Sequence, residues 1–254
     1  MEIGFVGTGT ISAAMVHGLQ TLPLAPRIVV SPRSDMISQG LATRYPNVRR
    51  AASNAEAAAP EMVILGMRPI QVEEALDGIV FRADQLVVSL VAGLSLADVQ
   101  RLAPQSKVDR AIPMPGIARA EGPIAIYPGQ PETIALLRPL GELIVAPSEA
   151  SLNMGGVTGF MSSYFELQES LIKRATAAGN SEEDARRYVV SLLSMLATTA
   201  RGTQAEQFGE LVTEHQTKGG LNERVRAHLL AAGWFDAPAE AFVAIAQLSR
   251  KNLG

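Results

Sequence analysis

The apolar residues of the first 147 positions fall into short runs, and most of the segments between these runs have helical periodicity. The runs are Ile3–Val6, Ile28–Val30, Met62–Leu65, Leu86–Leu90, Ile124–Tyr127 and Leu143–Val145. The run from Met62 to Leu65 has no alternation of apolar and polar residues, which is typical of a strand buried on both faces. Such strands, alternating with helices, predict a parallel sheet that is covered by helices on both sides.

Beyond about residue 150 the strand pattern disappears, and residues recur at helical spacing. The first stripe at this spacing comprises Met161, Tyr164, Phe165, Gln168, Leu171, Ile172 and Ala175. The second comprises Ala185, Tyr188, Val189, Leu192, Leu193 and Leu196. Gly179 is expected to end the first helix, and Ser181 with Asp184 resembles a capping box that begins the second. Further helices are predicted over Ala205–Leu211, Asn222–Ala232 and Ala237–Leu248.

These patterns predict an α/β fold class with two domains. Residues 1–148 are expected to form a doubly wound sheet of the Rossmann type, and residues 149–254 an all-α domain. The apolar faces of the two long helices are too broad for a small helical domain to bury alone. We therefore predict a homodimer or a higher homo-oligomer through this domain, with a self-contained helical bundle as the alternative.

A glycine turn directly follows the first apolar strand of the chain. The turn has the form Gly7-x-Gly9-x-x-Ser12 and leads into a helix with Ile11 and Met15 on its apolar face. Gly7 allows the tight turn, Gly9 lets the backbone approach a pyrophosphate, and the small Ser12 lets the helix pack close to the strand. The helix N-terminus would then face the anion. The turn therefore predicts a dinucleotide site, with the expected contacts Gly7, Thr8, Gly9, Thr10 and Ile11.

The end of the second predicted strand indicates which dinucleotide binds. A site that prefers NAD usually has an acidic residue here for the ribose 2′-hydroxyl, but this strand ends in Ser31, and Arg33 follows two residues later. A hydroxyl and a guanidinium suit a 2′-phosphate, because the planar guanidinium can bind phosphate oxygens through two hydrogen bonds. We therefore predict NADP(H) as the cofactor, unless Arg33 is an ordinary solvated loop arginine.

The composition narrows the possible function classes. A formal net charge of −3 argues against a nucleic-acid partner, and the absence of cysteine excludes disulfides, cysteine nucleophiles and thiolate metal sites. No apolar run approaches the ~18–20 residues that cross a bilayer, and the chain begins with a core strand. Neither a membrane span nor a signal peptide is therefore predicted, and a cytoplasmic location is expected. No histidine and carboxylate spacing of a metal motif occurs, so no metal is predicted.

The order of motifs along almost the whole chain resembles the pyrroline-5-carboxylate reductase family. The matching segments are the glycine turn, Ser31–Arg33, Ser53–Glu56, Ile64–Pro69, Ser89–Gly93, Arg110–Pro113 and Val212–Thr213. The resemblance implies that members reduce a cyclic imino acid to proline with NADPH or NADH. It also implies dimerisation through the helical domain, with the substrate between the two domains.

The resemblance also implies further cofactor contacts. The turns after the fourth and fifth strands of the family line the cofactor. The corresponding residues here, together with an asparagine of the third segment, are Asn54, Met67, Arg68, Pro69, Val91, Ala92 and Gly93.

The segments that bind substrate in the family read differently in this chain. Met114-Pro115-Gly116 follows Pro113 where the family has Asn-Thr-Pro, and Thr158–Tyr164 stands where the first long helix of the family begins. The polar stretch Thr213–Gly220 replaces the substrate loop. In this stretch Lys218 is the candidate partner of a substrate carboxylate, Thr217 of the imine nitrogen or carbonyl oxygen, and His215 a candidate proton donor. The expected substrate contacts are Thr213, Gly219, Gly220 and Asn222.

Three functions therefore stay open at the level of sequence. The first is an NADP-dependent reductase of a small cyclic imino acid, as in the synthesis of proline from 1-pyrroline-5-carboxylate. The second keeps the fold but acts on another imino, keto or hydroxy acid. The third is a protein that binds NADP without turnover.

Overall fold

A computed structural model describes the backbone of residues 1–251 and the side chains of residues 1–245. The chain forms two compact units that divide between Gly155 and Gly156. The first unit contains the predicted sheet, and the second is helical. The domain boundary expected after residue 148 falls at a short 3-10 helix, Glu149–Ser151, within the first unit.

The first unit is built on one sheet of eight strands. The strands are β1 (Glu2–Val6), β2 (Arg27–Val30), β3 (Val48–Arg50), β4 (Met62–Leu65), β5 (Leu86–Ser89), β6 (Lys107–Pro113), β7 (Pro123–Tyr127) and β8 (Glu142–Val145). Their order across the sheet is β3-β2-β1-β4-β5-β6-β7-β8. Since β2 and β4 lie on opposite sides of β1, the chain reverses its direction of winding there, which is the position where doubly wound sheets bind ligands.

Helices connect most of these strands. They are α1 (Thr10–Leu19), α2 (Asp35–Arg44), α3 (Asn54–Ala57), α4 (Val72–Leu76), α5 (Leu96–Leu102) and α6 (Pro131–Leu137). Short 3-10 helices at Pro69–Gln71, Pro115–Arg119 and Arg138–Leu140 complete the connections. The sheet is buried on both faces, because one apolar cluster packs around Phe5, Met15 and Ile64, and a second around Val6, Val63 and Val87. The predicted Rossmann-type fold is thus confirmed.

Two features of the sheet correct the sequence prediction. The sheet is not wholly parallel, since β7 pairs antiparallel with β6. In addition, β3 and β6 were not predicted, because both carry charged residues. Asp109 in the middle of β6 is fully buried, and its carboxylate accepts hydrogen bonds from the Gly129 and Gln130 amides and the Thr133 hydroxyl at the start of α6. Burial raises the pKa of this carboxyl group above its ordinary value, and these hydrogen bonds oppose the rise.

The second unit consists of helices. They are α7 (Met161–Ala177), α8 (Glu182–Gly202), α9 (Leu211–Glu214), α10 (Leu221–Ala231) and α11 (Ala237–Lys251). The predicted end and start between the two long helices are confirmed: Gly179 has a φ of 98°, and the Ser181 hydroxyl accepts a hydrogen bond from the Asp184 amide. Of the three shorter predicted helices, the one over 205–211 is wrong in type, since Ala205–Glu210 is a 3-10 helix that leads into α9.

The second unit buries very little of its apolar surface. Among its described side chains, only Ala185 and Val189 are buried, both on α8. Tyr188 and Met195, which lie one heptad apart on the same helix, are 71% and 52% exposed. None of the described helices combines the length and the apolar character that a bilayer crossing requires. The exposed faces therefore lack a covering partner within the described chain.

Candidate functional site

The glycine turn and the start of α1 form one wall of a cavity at the carboxyl edge of the sheet. Gly9 is the N-cap of α1, and no side chain makes a capping hydrogen bond there. The first amides of a helix have no partner within the helix, and the helix dipole makes this end positive. The cavity has a volume of about 470 Å³, which is within the usual range for small-molecule sites. This donor set suits the pyrophosphate of a dinucleotide.

The turn has room only for small residues where it meets β4. Gly7 has a φ of 90°, and a Cβ at this position would lie 2.7 Å from the Met67 amide nitrogen. A Cβ on Gly66 would collide with the Ser12 hydroxyl, which donates a 2.6 Å hydrogen bond to the Gly7 carbonyl. The close packing of strand, turn and helix that the motif predicts is therefore present, and it depends on Gly7, Ser12 and Gly66 together.

Two buried hydroxyl groups hold the turn from below. The Ser31 hydroxyl accepts a hydrogen bond from the Gly7 amide at 3.0 Å, and the Thr8 hydroxyl donates to the Ser31 carbonyl at 2.9 Å. Ser31 is fully buried and Thr8 is 1% exposed. The Ser31 hydroxyl, which the sequence predicts to face a 2′-phosphate, makes its hydrogen bonds to the turn in this structure, so its contact with a cofactor stays a prediction. The sequence could not distinguish the two roles, since a serine at a strand end suits both.

The cavity collects most of the predicted cofactor residues. Those that line it are Gly7, Thr8, Gly9, Thr10, Ile11, Arg33, Asn54, Met67 and Arg68. The structure adds four lining residues that the sequence did not indicate, namely Ser34, Gly66, Gln71 and Ala75. Only Gly66 carries a recognisable signal, because it directly follows a buried strand. The others enter the wall through the path of the chain after Arg33 and Pro69.

Two arginines give the cavity its charge. The Arg33 guanidinium lies 3.1 Å from a carboxylate oxygen of Glu74, and both side chains are largely exposed. The Arg68 side chain approaches the neutral Gln71, whose side-chain oxygen also accepts a hydrogen bond from the Arg68 amide. Asn54 points its amide group at the Ala75 carbonyl, which joins α3 to α4 beside the cavity. Two guanidinium groups can therefore approach an anionic ligand here.

The remaining predicted cofactor residues lie at the same edge of the sheet but not in the cavity wall. Pro69 begins the 3-10 helix that follows Arg68. Val91 is buried, and its amide donates to the Ser89 hydroxyl at the end of β5. Ala92 and Gly93 are exposed in the turn that follows, where Gly93 has a φ of 85°. As β5 pairs with β4, this turn is adjacent to the cavity wall.

The predicted catalytic and substrate residues lie in and beside the loop between α9 and α10 of the second unit, with Thr213 in α9 and Asn222 in the first turn of α10. The loop is held by its own polar groups: His215 Nδ1 contacts the Leu211 carbonyl, and the Asn222 amide donates to the His215 carbonyl. The Gly219 amide donates to the Glu223 carboxylate at 2.5 Å, so this amide already has an anionic partner. Gly220 is the N-cap of α10, without a side-chain cap.

Thr213, Thr217 and Lys218 are exposed, and Lys218 forms no ion pair in the part of the chain that the structure describes. The Thr213 hydroxyl donates to the Glu210 carbonyl, so it contributes to the loop itself. The loop therefore presents a free ammonium and a free hydroxyl on adjacent residues. No cluster of metal-ligating side chains occurs among the described residues.

A second cavity lies wholly within the helical unit and does not involve this loop. Its volume is about 450 Å³, and apolar residues such as Phe160, Leu167 and Trp234 dominate its wall. Glu166 is its one ionisable lining residue. A pocket with this lining does not offer the convergent polar groups that a small acidic substrate requires.

Comparison with known proteins adds three findings. Residues 2–93 match the family described as NADP oxidoreductase coenzyme F420-dependent, which spans the strands and turns that form the first cavity. The pyrroline-5-carboxylate reductase of Synechocystis sp. is 23% identical over 231 residues, covering 87% of this chain and 86% of that protein.

Solved structures resemble the chain over nearly its whole length. A 1-pyrroline-5-carboxylate reductase from Streptococcus pyogenes is 21% identical, with a TM-score of 0.79 and coverage of 96% of both chains. The NADP-bound pyrroline carboxylate reductase of Plasmodium falciparum is 16% identical, with a TM-score of 0.81 and coverage of 99% of this chain and 97% of that one. These likenesses establish the fold. Together with the Synechocystis relative, they confirm the resemblance that the sequence motifs predicted.

Proposed function

Given this likeness to pyrroline-5-carboxylate reductases, we propose that the chain is an NADP-dependent oxidoreductase that reduces a small cyclic imino acid. The reaction proposed first is the conversion of 1-pyrroline-5-carboxylate to proline. The observation that carries the proposal is the cavity at the start of α1, which combines an uncapped helix end with two guanidinium groups. When bound, NADPH would supply the hydride for this reduction.

The first unit would hold the cofactor. The amides of Gly9 and Thr10 would bind the pyrophosphate, and Arg33 the 2′-phosphate. The buried hydroxyls of Thr8 and Ser31 keep the turn in the required conformation. The preference for NADP(H) over NAD(H) is supported by Arg33 in the cavity wall and by the absence of an acidic residue at the end of β2.

The second unit would supply the substrate groups. The free ammonium of Lys218 would pair with the substrate carboxylate, and the Thr217 hydroxyl would orient the imine nitrogen. An imine that is already protonated needs no strong general acid, so these two groups would act mainly by positioning. His215 is the candidate proton donor for a neutral imine or a carbonyl. Thr213, Gly219, Gly220 and Asn222 are proposed to shape the loop around the substrate.

We also propose a homodimer or a higher homo-oligomer, in which α7 and α8 pair with a second copy. The exposed Tyr188 and Met195 and the near absence of buried residues in the second unit support this assembly. The proposed partners are thus the small-molecule substrate and further copies of the chain, with no role for nucleic acid or membrane. The proposed location is the cytoplasm, as expected from the sequence.

A related substrate is the second candidate, and the loop favours it. The Gly219 amide is occupied by Glu223, and the family's Asn-Thr-Pro segment is replaced by Met114-Pro115-Gly116. Such changes alter the groups that contact substrate while leaving the cofactor cavity intact. Another small imino, keto or hydroxy acid would then take the place of 1-pyrroline-5-carboxylate.

The test is the oxidation of NADPH by the purified protein with a panel of cyclic imino acids and keto acids. Turnover of 1-pyrroline-5-carboxylate supports the first candidate, and turnover of another member alone supports the second. Gly7→Val is the matched inactive control, since its side chain would collide with the backbone at Met67. NADPH binding without turnover of any compound would leave a non-catalytic binding protein and overturn the enzymatic proposal.

A further inference from the structure

We propose that Glu74 is a specificity-determining residue that weakens NADP(H) binding by holding the Arg33 guanidinium. The inference rests on the proposed function, because it concerns the cavity assigned there to the dinucleotide. The residues named there favour NADP(H) binding, whereas Glu74, at the cavity rim, is proposed to weaken it.

The geometry places a carboxylate where a phosphate would have to bind. Arg33 Nη1 lies 3.1 Å from Glu74 Oε2, and Arg33 is part of the cavity wall. Glu74 lies in the first turn of α4, which follows the Pro69–Gln71 segment at the cavity rim. The two side chains are 46% and 73% exposed, so the pair is solvated and can rearrange at low cost.

The Glu74 carboxylate and a 2′-phosphate would compete for the Arg33 guanidinium. A guanidinium binds carboxylate and phosphate oxygens with the same planar set of donors, so a 2′-phosphate must share or displace Glu74. A phosphate monoester carries a charge of about −1.5 to −2 near neutral pH, and it would also be repelled by the carboxylate beside it. A 2′-hydroxyl is neutral and meets no such penalty. Glu74 therefore acts against NADP(H) and leaves NAD(H) almost unaffected.

The second arginine of the cavity lacks this restraint. The Arg68 side chain approaches the neutral Gln71, and Arg68 forms no ion pair within the described residues. Arg33 is thus the guanidinium of the cavity whose charge a carboxylate compensates. Glu73, the neighbour of Glu74 on α4, is exposed and takes part in none of the ion pairs of the described chain, which makes it a matched control.

The experiment is a calorimetric titration of the full chain with NADP⁺ and NAD⁺. The variants are Glu74→Gln, the control Glu73→Gln, and Glu74→Gln combined with Arg33→Ala. Adenosine 2′,5′-bisphosphate and AMP serve as smaller probes that differ only in the 2′-phosphate. Removing an exposed pair and a like-charge neighbour should tighten NADP⁺ binding by Glu74→Gln about three- to tenfold. NAD⁺ affinity should change by less than about twofold, and most of the gain should vanish without Arg33.

Unchanged or weaker NADP⁺ binding by Glu74→Gln would overturn the inference, because Glu74 would then be neutral or would orient Arg33 productively. An equal gain in Glu73→Gln would also overturn it, since the effect would come from net charge alone. In both cases NADP⁺ binding by the unmutated chain leaves the proposed function standing. If the unmutated chain binds neither dinucleotide, the proposed function itself fails.

Discussion

The two units of the chain differ in where their apolar residues lie. In the first unit, strands such as β4 are fully buried between helices, and the largest side chains around Phe5 are inaccessible to solvent. In the second unit, Phe165, Tyr188 and Met195 are all more than half exposed. The first unit therefore has a core of its own, whereas the helical unit has apolar surface that a second copy would cover. The proposed cofactor cavity thus lies in the unit with a buried core, and the proposed association involves the unit whose apolar side chains stay exposed.

The strongest test of this difference in burial is to remove a large apolar side chain from each unit. Phe5→Ala should lower the free energy of unfolding by about 3–5 kcal/mol, because the cavity left at a fully buried site cannot refill. Phe165→Ala, at a side chain 66% exposed, should cost much less in the isolated chain and should act mainly through association. Urea unfolding is the measurement. Trp234 is the single tryptophan and reports on the helical unit, while circular dichroism follows both units. Equal losses for the two variants would contradict the difference in burial.

The proposed association is tested by a charge on the exposed face of α8. Tyr188→Arg should weaken the free energy of dimerisation by at least about 2 kcal/mol, because buried aromatic residues dominate interfaces. Sedimentation at several concentrations measures it. Leu24→Arg is the control, since Leu24 is 92% exposed on the first unit. An unmutated chain that stays monomeric at micromolar concentration would remove the dimer.

Arg33→Ala tests how much Arg33 in the cavity wall contributes to NADP(H) affinity. Losing charge-assisted hydrogen bonds to the 2′-phosphate should cost about 1.5–3 kcal/mol, or about ten- to a hundredfold in NADP(H) affinity. NAD(H) affinity should hardly change. Titration with both cofactors decides, and tighter binding of NAD(H) than NADP(H) by the unmutated chain would reject the predicted preference.

Substitutions in the loop between α9 and α10 should have smaller effects, on the KM and kcat for the substrate. Lys218→Ala should raise the apparent KM for an acidic substrate about three- to tenfold, because an exposed ammonium contributes little against solvent screening. Thr217→Val should mainly lower kcat if its hydroxyl aligns the reacting atom. Steady-state kinetics measure both, with Lys173→Ala as a control for the loss of one exposed positive charge, at a site on α7 where the ammonium pairs with Glu169. NADPH affinity should stay constant, and a parallel loss of cofactor binding would place the loop in a different role.

The smallest expected effect is a pH dependence confined to the first unit. Partial burial, with Arg44 nearby, lowers the pKa of His17 below its ordinary value of 6.5. At this site the unfolded chain then binds more protons than the folded one as the pH falls below 6.5, so the contribution of His17 to folding stability should decrease on acidification through that range. His17→Gln can keep the contact with the Tyr45 hydroxyl and should reduce this decrease, by less than about 1 kcal/mol after solvent screening. Urea unfolding between about pH 5 and 7 tests it, and identical pH profiles would reject it.

Much of the first unit could be predicted because its strands lie between two layers of helices, which leaves continuous apolar runs in the sequence. The prediction failed for β6, where Asp109 is buried but satisfied by the start of α6. Such compensation depends on residues about twenty positions away and leaves no local pattern. The hydrogen bond from the Gly7 amide to the Ser31 hydroxyl likewise joins residues 24 positions apart and leaves no local pattern.

The site could be predicted where the backbone geometry requires a particular residue, as at Gly7. The partners of its side chains could not be predicted, because they depend on tertiary packing. Arg33 was expected in the cavity and lines it, but its pairing with Glu74 arises from the packing of α4 beside the loop. In the helical unit the two long helices were predicted correctly, the segment over 205–211 was not, and the substrate role of the loop stays a prediction. The position of a polar loop along the sequence does not reveal which of its groups are occupied, as the contact between Gly219 and Glu223 illustrates.

The mutual contact of Gly7, Ser12 and Gly66 has a consequence for how this chain can change over evolutionary time. A methyl group on Gly66 would meet the Ser12 hydroxyl, and one on Gly7 would meet the backbone that follows Gly66. Gly66 is more than fifty residues away from Gly7 and Ser12 in the sequence, yet substitutions at these three positions can be accepted only as compatible sets. The exposed loop of the helical unit is restricted only locally, at Gly219 with its φ of 72° and at Gly220, where a Cβ would lie 2.8 Å from the Thr217 carbonyl oxygen. If the loop binds substrate as proposed, substitutions at its exposed positions could change the substrate in a lineage that keeps Gly7, Ser12 and Gly66.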